Sequence, residues 1–254
     1  MIRVLACSSI ALILLILAAC STGKHAPTAY YSVPVDNKAV QNEQQLSWWA
    51  YRYRIAWPEE NEKPDFAVDL LLAHALVRPV LMKSSDKLLW WRFHRRASRQ
   101  PPGHQFSFLF YSDRETATNV IKMLDGSNLL GRLKDSGMVQ ETVSSDIYKR
   151  QNSAIEAYSD SAWTPVIQRT WPSYIMGVSA YWLALIDELK IEQTDPQDAA
   201  VIDTVELSNM LEDYRRIDDE ITLLWQKEGQ HVLLHHLSAV FGYKPMTLRK
   251  DVVY

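Results

Sequence analysis

The sequence predicts an α+β fold: a split β-α-β-β-α-β antiparallel sheet with helices on one face, followed by a C-terminal helical part. Three observations predict this class. Apolar residues alternate with period two over 46–57, and again on both sides of a Pro/Gly turn at 99–103, as they do in β-strands. Between these segments, apolar residues recur at helical spacing. From residue 173 onward, helical patterns dominate.

The composition is that of an ordinary folded protein. The chain has 254 residues, of which 47% are hydrophobic and 22% charged, and its formal net charge is −3. These values exclude a disordered chain, a collagen-like repeat and a multi-span membrane protein. Since the charge is nearly neutral, no nucleic-acid partner is expected.

The first twenty residues have the pattern of a bacterial lipoprotein signal. Arg3 supplies a positive charge, residues 10–19 form an apolar run, and the run is followed by Cys20. This is a secretory signal with small residues before the cut, and its Leu-Ala-Ala-Cys ending resembles the lipobox of bacterial lipoproteins. An uncleaved N-terminal anchor is the alternative, although the run is short for a membrane span. The pattern therefore predicts a signal peptide over 1–19 and lipidation of Cys20.

Cleavage and lipidation would attach a single domain, residues 46–254, to a membrane. Cys20 and the polar residues up to 45 would form the lipidated tether. Cys7 would leave with the signal peptide, so the mature domain would have no disulfide and no catalytic thiol. Ser21 stands where enteric inner-membrane lipoproteins tend to have aspartate. We therefore expect an outer-membrane lipoprotein that faces the periplasm.

The first strand and helix are predicted before residue 80. Alternation over 46–57 predicts a strand that ends at Pro58. Pro64 and Asp65 then begin a helix, in which Asp65 is a suitable N-cap. Pro79 is expected to end that helix.

A hairpin and a second helix follow. Aromatic-rich strands over 88–98 and 104–111 flank the turn at 99–103. Residues 112–115, Ser-Asp-Arg-Glu, match a capping box at the start of a helix that Gly126 ends. A fourth strand is predicted over 138–148.

The remainder of the chain is predicted to be helical. Residues 173–190 are apolar on most sides, which predicts a buried helix. An amphipathic stripe over 207–225 predicts a long helix, which Gly229 interrupts before a last helix to Gly242. Residues 191–204 are the candidate for an internal linker.

Charged residues are distributed unevenly. Residues 87–112 contain five basic and no acidic residues, whereas residues 183–220 contain twelve acidic and three basic residues. The hairpin could bind carboxylates or phosphates through Arg95 and Arg96, because guanidinium groups suit bidentate contacts. The alternative is a solvated hairpin and a solvated helix face.

Motifs for cofactors and metals are weak in this sequence. It has no G-x-S-x-G, P-loop or C-x-x-C motif, and no cofactor is predicted. His231 and His235 are spaced as two metal ligands on a helix would be, and Glu228 precedes them, but a third ligand is not evident. Histidines that serve packing are the alternative, and no metal site is predicted.

Two tryptophan pairs invite a binding interpretation as well. Trp48-Trp49 and Trp90-Trp91 could line a groove for a glycan or a peptide. Because side chains alternate along a strand, one member of each pair is instead expected to point into the core.

Short motifs in the hairpin and the C-terminal half resemble a known family. They are WRFHRR at 91–96, the turn at 101–103, HQFSFL at 104–109, YKRQ at 148–151 and HLSAVFG at 236–242. In this order they resemble the thiopeptide-type bacteriocin biosynthesis domain, which is the C-terminal elimination domain of lantibiotic dehydratases. The resemblance covers roughly residues 46–246.

The resemblance implies elimination of glutamate from glutamylated serine or threonine in a peptide. Such a reaction needs a base for the α-proton and cations for the developing negative charge. Matched position by position, the resemblance suggests Arg95, His104, Arg150 and His236 as catalytic residues, with Tyr148 beside Arg150 in the YKRQ motif.

Several polar positions of the family pattern are replaced in this chain. Phe106 and Phe108 stand where the family has arginines, Gln151 replaces a glutamate, and Ser238-Ala239 replaces asparagine-arginine. We therefore expect an envelope lipoprotein whose domain binds or modifies peptide, with a degenerate lyase-type site. The alternative is a non-catalytic envelope scaffold or assembly lipoprotein, whose protein partner the sequence does not identify.

Overall fold

The structure, a computed structural model, describes residues 46–57, 63–191 and 204–245. The predicted signal peptide, Cys20 and the tether to residue 45 lie outside these ranges, as do Pro58 and residues 192–203 of the candidate linker. None of the helices in these ranges is long and apolar enough to cross a membrane.

Four strands form one antiparallel sheet. They are β1 (Ser47–Ile55), β2 (Trp90–Arg96), β3 (His104–Ser112) and β4 (Val139–Ser144), and their order across the sheet is β2-β3-β1-β4. β3 thus lies between β1 and β2, and β1 lies between β3 and β4. Together with the helices, this sheet confirms the predicted α+β class.

The helices occupy the connections and the C-terminal half. The first connection contains α1 (Ala67–Leu71), a π-helical segment (Leu72–Val77) and α2 (Arg78–Ser84). The second contains α3 (Arg114–Asp125) and α4 (Asn128–Asp135). The C-terminal half contains α5 (Pro165–Ile191), α6 (Thr204–Gly229), a second π-helical segment (Gln230–His235) and α7 (His236–Val240).

The two faces of the sheet are covered differently. Trp49 of β1, Trp91 of β2 and Phe106 of β3 point into the principal core, which also holds the buried apolar residues of α1 to α6. Trp48 points to the opposite face, where a smaller apolar cluster includes Tyr158. Trp48 and Trp49 are therefore both buried, 2% and 1% exposed, because each face of the sheet has apolar cover.

The predicted end of the first helix at Pro79 is wrong. The helical run continues to Ser84, and Pro79 lies in the first turn of α2. The π-helical segment Leu72–Val77 immediately precedes that turn. The helix is continuous here, so Pro79 removes one backbone N–H donor from its interior, and the change from π-helical to α-helical geometry occurs beside it. At the start of the run, the Asp65 carboxylate accepts a hydrogen bond from Ala67 N–H at 3.2 Å.

The capping residue of α3 differs by one position from the prediction. The Asp113 carboxylate, and not the Ser112 hydroxyl, accepts the hydrogen bond from Thr116 N–H at 2.7 Å. Gly126 follows the last residue of α3, as predicted. The sequence did not predict α4, which Ser127 caps. The fourth strand, predicted over 138–148, is shorter at Val139–Ser144.

The C-terminal helices are longer and more exposed than predicted. α5 begins at Pro165, eight residues before the predicted start. Gly229 does not interrupt the last helices, because α6 continues directly into the second π-helical segment. The expectation that α5 is buried is wrong in part, since Tyr174 is 48% exposed and Val178 and Tyr181 are each 43% exposed.

Candidate functional site

Two of the four predicted catalytic residues meet at a buried carboxylate. Arg95 Nε donates to Asp69 Oδ2 at 2.9 Å, and His104 Nε2 lies 3.1 Å from Asp69 Oδ1. Arg95 and His104 lie at the hairpin end of β2 and β3, on the face that packs against α1. Asp69 and His104 are 0% and 1% exposed. The contact joins the sheet to the first helix.

The Arg95 guanidinium is held from several sides. Its Cζ lies 4.8 Å from the ring centre of Phe66 and 4.9 Å from that of Trp182, distances at which a cation is attracted to a ring face. Its Nη2 lies 3.7 Å from Asp218 Oδ1 on α6. Burial raises the pKa of Asp218, Arg95 opposes this increase, and Asp69 adds to it. Arg95 is thus engaged by two carboxylates and two rings.

His104 is enclosed by aromatic side chains. Its ring centre lies 5.4 Å from that of Phe66 and 6.3 Å from that of Trp57. Its Nδ1 is buried and has no hydrogen-bond partner among the described residues. His104 lines neither of the two clefts to which Arg95 contributes. A general base must reach the proton that it removes, and the surroundings of His104 favour a packing role instead.

The other two predicted catalytic residues lie elsewhere. Arg150 is exposed on the segment between β4 and α5, next to Tyr148, which is 86% exposed. His236 is exposed at the start of α7. Neither residue lines a cleft with Arg95. The structure therefore brings together Arg95 and His104 of the predicted set, and it leaves Arg150 and His236 apart from them.

Three histidines form a small surface cluster. The ring centre of His231 lies 5.2 Å from that of His235 and 5.7 Å from that of His236. Tyr243 Oη lies 3.4 Å from His235 Nε2. Across residues 46–57, 63–191 and 204–245, no three or more His, Cys, Asp or Glu side chains are arranged to hold a metal ion.

An apolar groove separates α5 from α6. We call it the helical groove, and its volume is about 400 Å³. Its apolar walls are formed by side chains of α5, α6 and the second π-helical segment: Val178, Tyr181, Trp182, Leu185, Ile221, Leu224, Trp225, Val232 and Leu233. Trp225 is 58% exposed and Val232 is 40% exposed. This groove therefore leaves large apolar side chains in contact with solvent.

Two of the three charged side chains that line the helical groove are acidic. Arg95, Asp218 and Glu228 line it. Because Arg95 already contacts Asp69, one cation is shared between two carboxylates. Glu228 makes no ion pair within the described parts of the chain. The groove therefore combines an apolar surface with excess negative charge.

A second cleft lies at the outer edge of the sheet. We call it the strand cleft; its volume is about 620 Å³, and β2, α5 and the segment 158–163 form its walls. Arg92 and His94 of β2 lie on one side, and Trp163 and Trp171 lie on the other, with ring centres 4.8 Å apart. Arg92 Nη2 donates to the backbone oxygen of Tyr158 at 3.5 Å. Arg95, Val178 and Trp182 line both clefts.

A buried polar cluster connects the first π-helical segment to α5 and α6. His74 Nδ1 lies 2.8 Å from Tyr214 Oη, and His74 Nε2 lies 2.9 Å from Asp187 Oδ1. Arg78 Nε lies 2.7 Å from the same carboxylate oxygen. Burial, with Arg78 and Lys190 nearby, lowers the pKa of His74 to about 4. Burial also raises the pKa of Asp187 to about 7. Neither cleft includes these side chains, so we assign them to helix packing.

Asp69 and Asp218 are not among the site residues that the sequence predicted. A signal for Asp69 was present, because this residue falls within the apolar stripe of the first helix, beside Leu70. A carboxylate in such a stripe needs a buried partner. The sequence gives no comparable signal for Asp218, since it lies in an acidic run whose other members Asp219 and Glu220 are exposed.

Comparisons with known proteins give no match: no protein-family model, no curated protein and no solved structure is similar to this chain. The resemblance to the thiopeptide-type bacteriocin biosynthesis domain therefore stays a prediction from the short motifs.

Proposed function

We propose that this protein is a lipid-anchored envelope protein that binds a helical peptide segment of a partner protein in the helical groove. The observation that carries the proposal is the solvent-exposed apolar surface of α5 and α6 around this groove. Val178 and Tyr181 are each 43% exposed, and Trp225 is 58% exposed. Exposed apolar clusters of this kind mark interaction sites.

The spacing of the groove residues supports a helical ligand. Val178, Tyr181 and Leu185 lie at i, i+3 and i+7 on α5, while Trp225 and Val232 lie seven residues apart on the facing wall. Two such stripes leave a concave surface into which the apolar face of a third helix fits. We therefore infer a ligand with apolar residues at helical spacing.

The charge of the groove supports a basic residue in that ligand. Asp218 and Glu228 line the groove, and Asp218 is partly buried beside Asp69. A lysine or arginine in the bound helix would be attracted to both carboxylates, and it would offset the repulsion that Asp218 experiences from its acidic neighbours. An acidic helix would increase that repulsion.

The buried network around Asp69 supports binding rather than elimination. Arg95 and His104 both contact this carboxylate, so neither is free to stabilise a departing glutamate. The attachment to the envelope rests on the N-terminal signal and Cys20. A peptide ligand also agrees with the resemblance to the thiopeptide-type bacteriocin biosynthesis domain, because members of that family act on peptides.

A binding experiment tests this proposal. The mature chain with Cys20→Ser is titrated with an 18-residue amphipathic peptide that carries leucine at i, i+3, i+4 and i+7 and lysine at the boundary of that face. Tryptophan fluorescence and calorimetry measure the Kd. We expect Trp225→Ala and Val232→Glu to weaken binding at least ~10-fold, the loss expected when a central aromatic contact is removed.

Two controls make the experiment decisive. Tyr148→Ala, at an exposed position that lines neither cleft, should leave the Kd unchanged. A peptide with glutamate in place of lysine should bind more weakly. The proposal fails if no amphipathic peptide binds, or if Tyr148→Ala weakens binding as much as Trp225→Ala does.

A non-catalytic scaffold is the second candidate function. Apolar exposure continues beyond the groove to Val240 and Phe241, which are 84% and 68% exposed. This extent favours a large, permanent protein contact over a short peptide. Site-specific crosslinking in cells from position 241 distinguishes the two, because a scaffold should give one stable crosslinked envelope partner there. A peptide receptor should give crosslinks from position 225 and none from position 241.

A further inference from the structure

We propose that the face of the sheet opposite the principal core binds a ligand that carries phosphate groups, through Arg52, Arg92 and Arg96. This inference concerns residues other than those of the helical groove and does not depend on the proposed function. We call the surface formed by these three arginines and His94 the cationic face.

The strand register places these side chains on one surface. Phe93 of β2 points into the principal core, so Arg92, His94 and Arg96, which alternate with it, point to the opposite face. Across the sheet, His94 lies opposite Ser107, which in turn lies opposite Arg52. The three arginines therefore surround His94.

These cations are not compensated by carboxylates. In the described parts of the chain, Arg52, Arg92 and Arg96 take part in no ion pair. Arg92 contacts a backbone oxygen at 3.5 Å. By contrast, Arg54 at the same end of the sheet pairs with Glu141 at 3.0 Å.

The electrostatic effect of the cluster is visible at its centre. Burial lowers the pKa of His94, and Arg92, Arg96 and Arg52 lower it further. Burial also lowers the pKa of Arg92. Charges that disfavour protonation of an imidazole attract an anion to the same place. Asp160, on the segment that covers the strand cleft, lines this cleft beside Arg92 and His94, and its single charge does not offset three guanidinium groups.

The geometry favours a ligand with more than one phosphate. Guanidinium groups bind phosphate oxygens with two parallel hydrogen bonds. Arg92 and Arg96 are four residues apart on one strand, a separation of about 13 Å between their backbone positions. The headgroups of neighbouring phospholipids present oxyanions over such a distance, whereas a diphosphate is shorter and would bind between the two arginines, next to His94. The shared chemistry is the phosphate group, and its source can be soluble or part of a membrane.

Direct binding measurements test the inference. The mature chain with Cys20→Ser is titrated with pyrophosphate and, separately, with vesicles of phosphatidylcholine with and without phosphatidylglycerol. We expect saturable binding whose affinity decreases as the salt concentration rises. The affinity should be at least ~10-fold lower in Arg92→Gln and in Arg96→Gln, since each substitution removes a charge-assisted contact. NMR of His94 should show its pKa rising when pyrophosphate binds, because the anion offsets the arginine charges.

Matched controls separate the outcomes. Arg114→Gln removes the same charge from an exposed position on α3 and should leave binding unchanged. Binding of pyrophosphate that competes with phosphatidylglycerol vesicles supports one phosphate site open to both sources, and binding of one alone supports that source. The inference is overturned if neither binds, if citrate binds as tightly as pyrophosphate, or if Arg114→Gln weakens binding equally.

Discussion

Replacing Asp69 by asparagine should destabilise the fold strongly. Asp69 is fully buried and accepts a hydrogen bond from Arg95 at 2.9 Å, with His104 Nε2 at 3.1 Å. Asparagine removes the charge, and its amide nitrogen must face one of these two groups where an oxygen now stands. A buried pair that loses one partner costs about 3–5 kcal/mol.

The structure places the expected loss at the lower end of that range. Arg95 keeps a second carboxylate, Asp218 Oδ1, at 3.7 Å, and its side chain is 29% exposed, so the remaining cation is not fully isolated. We therefore expect a loss of about 3 kcal/mol. For a domain of this size, that corresponds to a decrease in Tm of about 6–12 °C.

Urea denaturation of the mature chain at pH 7, followed by fluorescence and circular dichroism, measures the effect. Glu141→Gln is the matched control, because its ion pair with Arg54 is about half exposed on both sides and should be worth less than about 1 kcal/mol. Arg95→Met in the Asp69→Asn background should cost less than in the native background, since the two residues act as a pair. Equal, small effects of Asp69→Asn and Glu141→Gln would refute the reasoning.

Three further predictions concern pH, backbone conformation and packing. Burial lowers the pKa of His74 to about 4 from 6.5, so its stabilising contribution is present above pH 6.5 and is lost as the pH falls towards 4, by up to about 3 kcal/mol. The raised pKa of Asp187 has the opposite effect, because protonation of this carboxyl group stabilises the folded state as the pH falls. The urea midpoints of His74→Gln and the native protein should therefore be compared at both pH 7 and pH 4.5. If the difference between the two proteins is the same at both pH values, the lowered pKa of His74 is wrong. Gly103→Ala should lower the free energy of unfolding by about 1–2 kcal/mol, because φ is +82° there. Gly131→Ala within α4 should raise it by about 0.5–1 kcal/mol. In thermal denaturation, the Tm should therefore fall in the first variant and rise in the second. Leu130→Ala should cost about 2–5 kcal/mol in urea, because Leu130 is 1% exposed and a cavity would remain; a loss below 1 kcal/mol would show that the core refills.

The extent of the predicted strands shows how far local patterns reach. The alternation of Trp49, Tyr51 and Tyr53 with other residues correctly predicted β1, and these three side chains point into the principal core. The spacing of Phe106 and Phe108 did the same for β3. Such patterns are informative because successive side chains of a strand point to opposite faces, so the residues that share a face are two apart in the chain. The boundaries were less accurate where a single residue served as the signal, as at Pro79, which lies inside the helical run and does not end it.

Partnerships between distant residues could not be predicted in the same way. The sequence predicted Arg95 and His104 as site residues but did not predict Asp69, whose carboxylate contacts both of them. It paired Arg95 with Arg96 as anion binders, whereas β2 turns them to opposite faces. Arg95 forms an ion pair with Asp69. Arg96 lies on the same face of the sheet as Arg52 and has no ion pair within the described residues.

The sequence by itself determined the α+β class, the strands of the sheet and the apolar character of α5, because each depends on residues close together in the chain. Only the tertiary structure decided which charges are compensated and which apolar side chains meet solvent. The physical reason is that both depend on what packs against a residue. Val178 and Trp225 belong to apolar stripes like those of the core, yet they remain exposed because no described element covers the groove between α5 and α6.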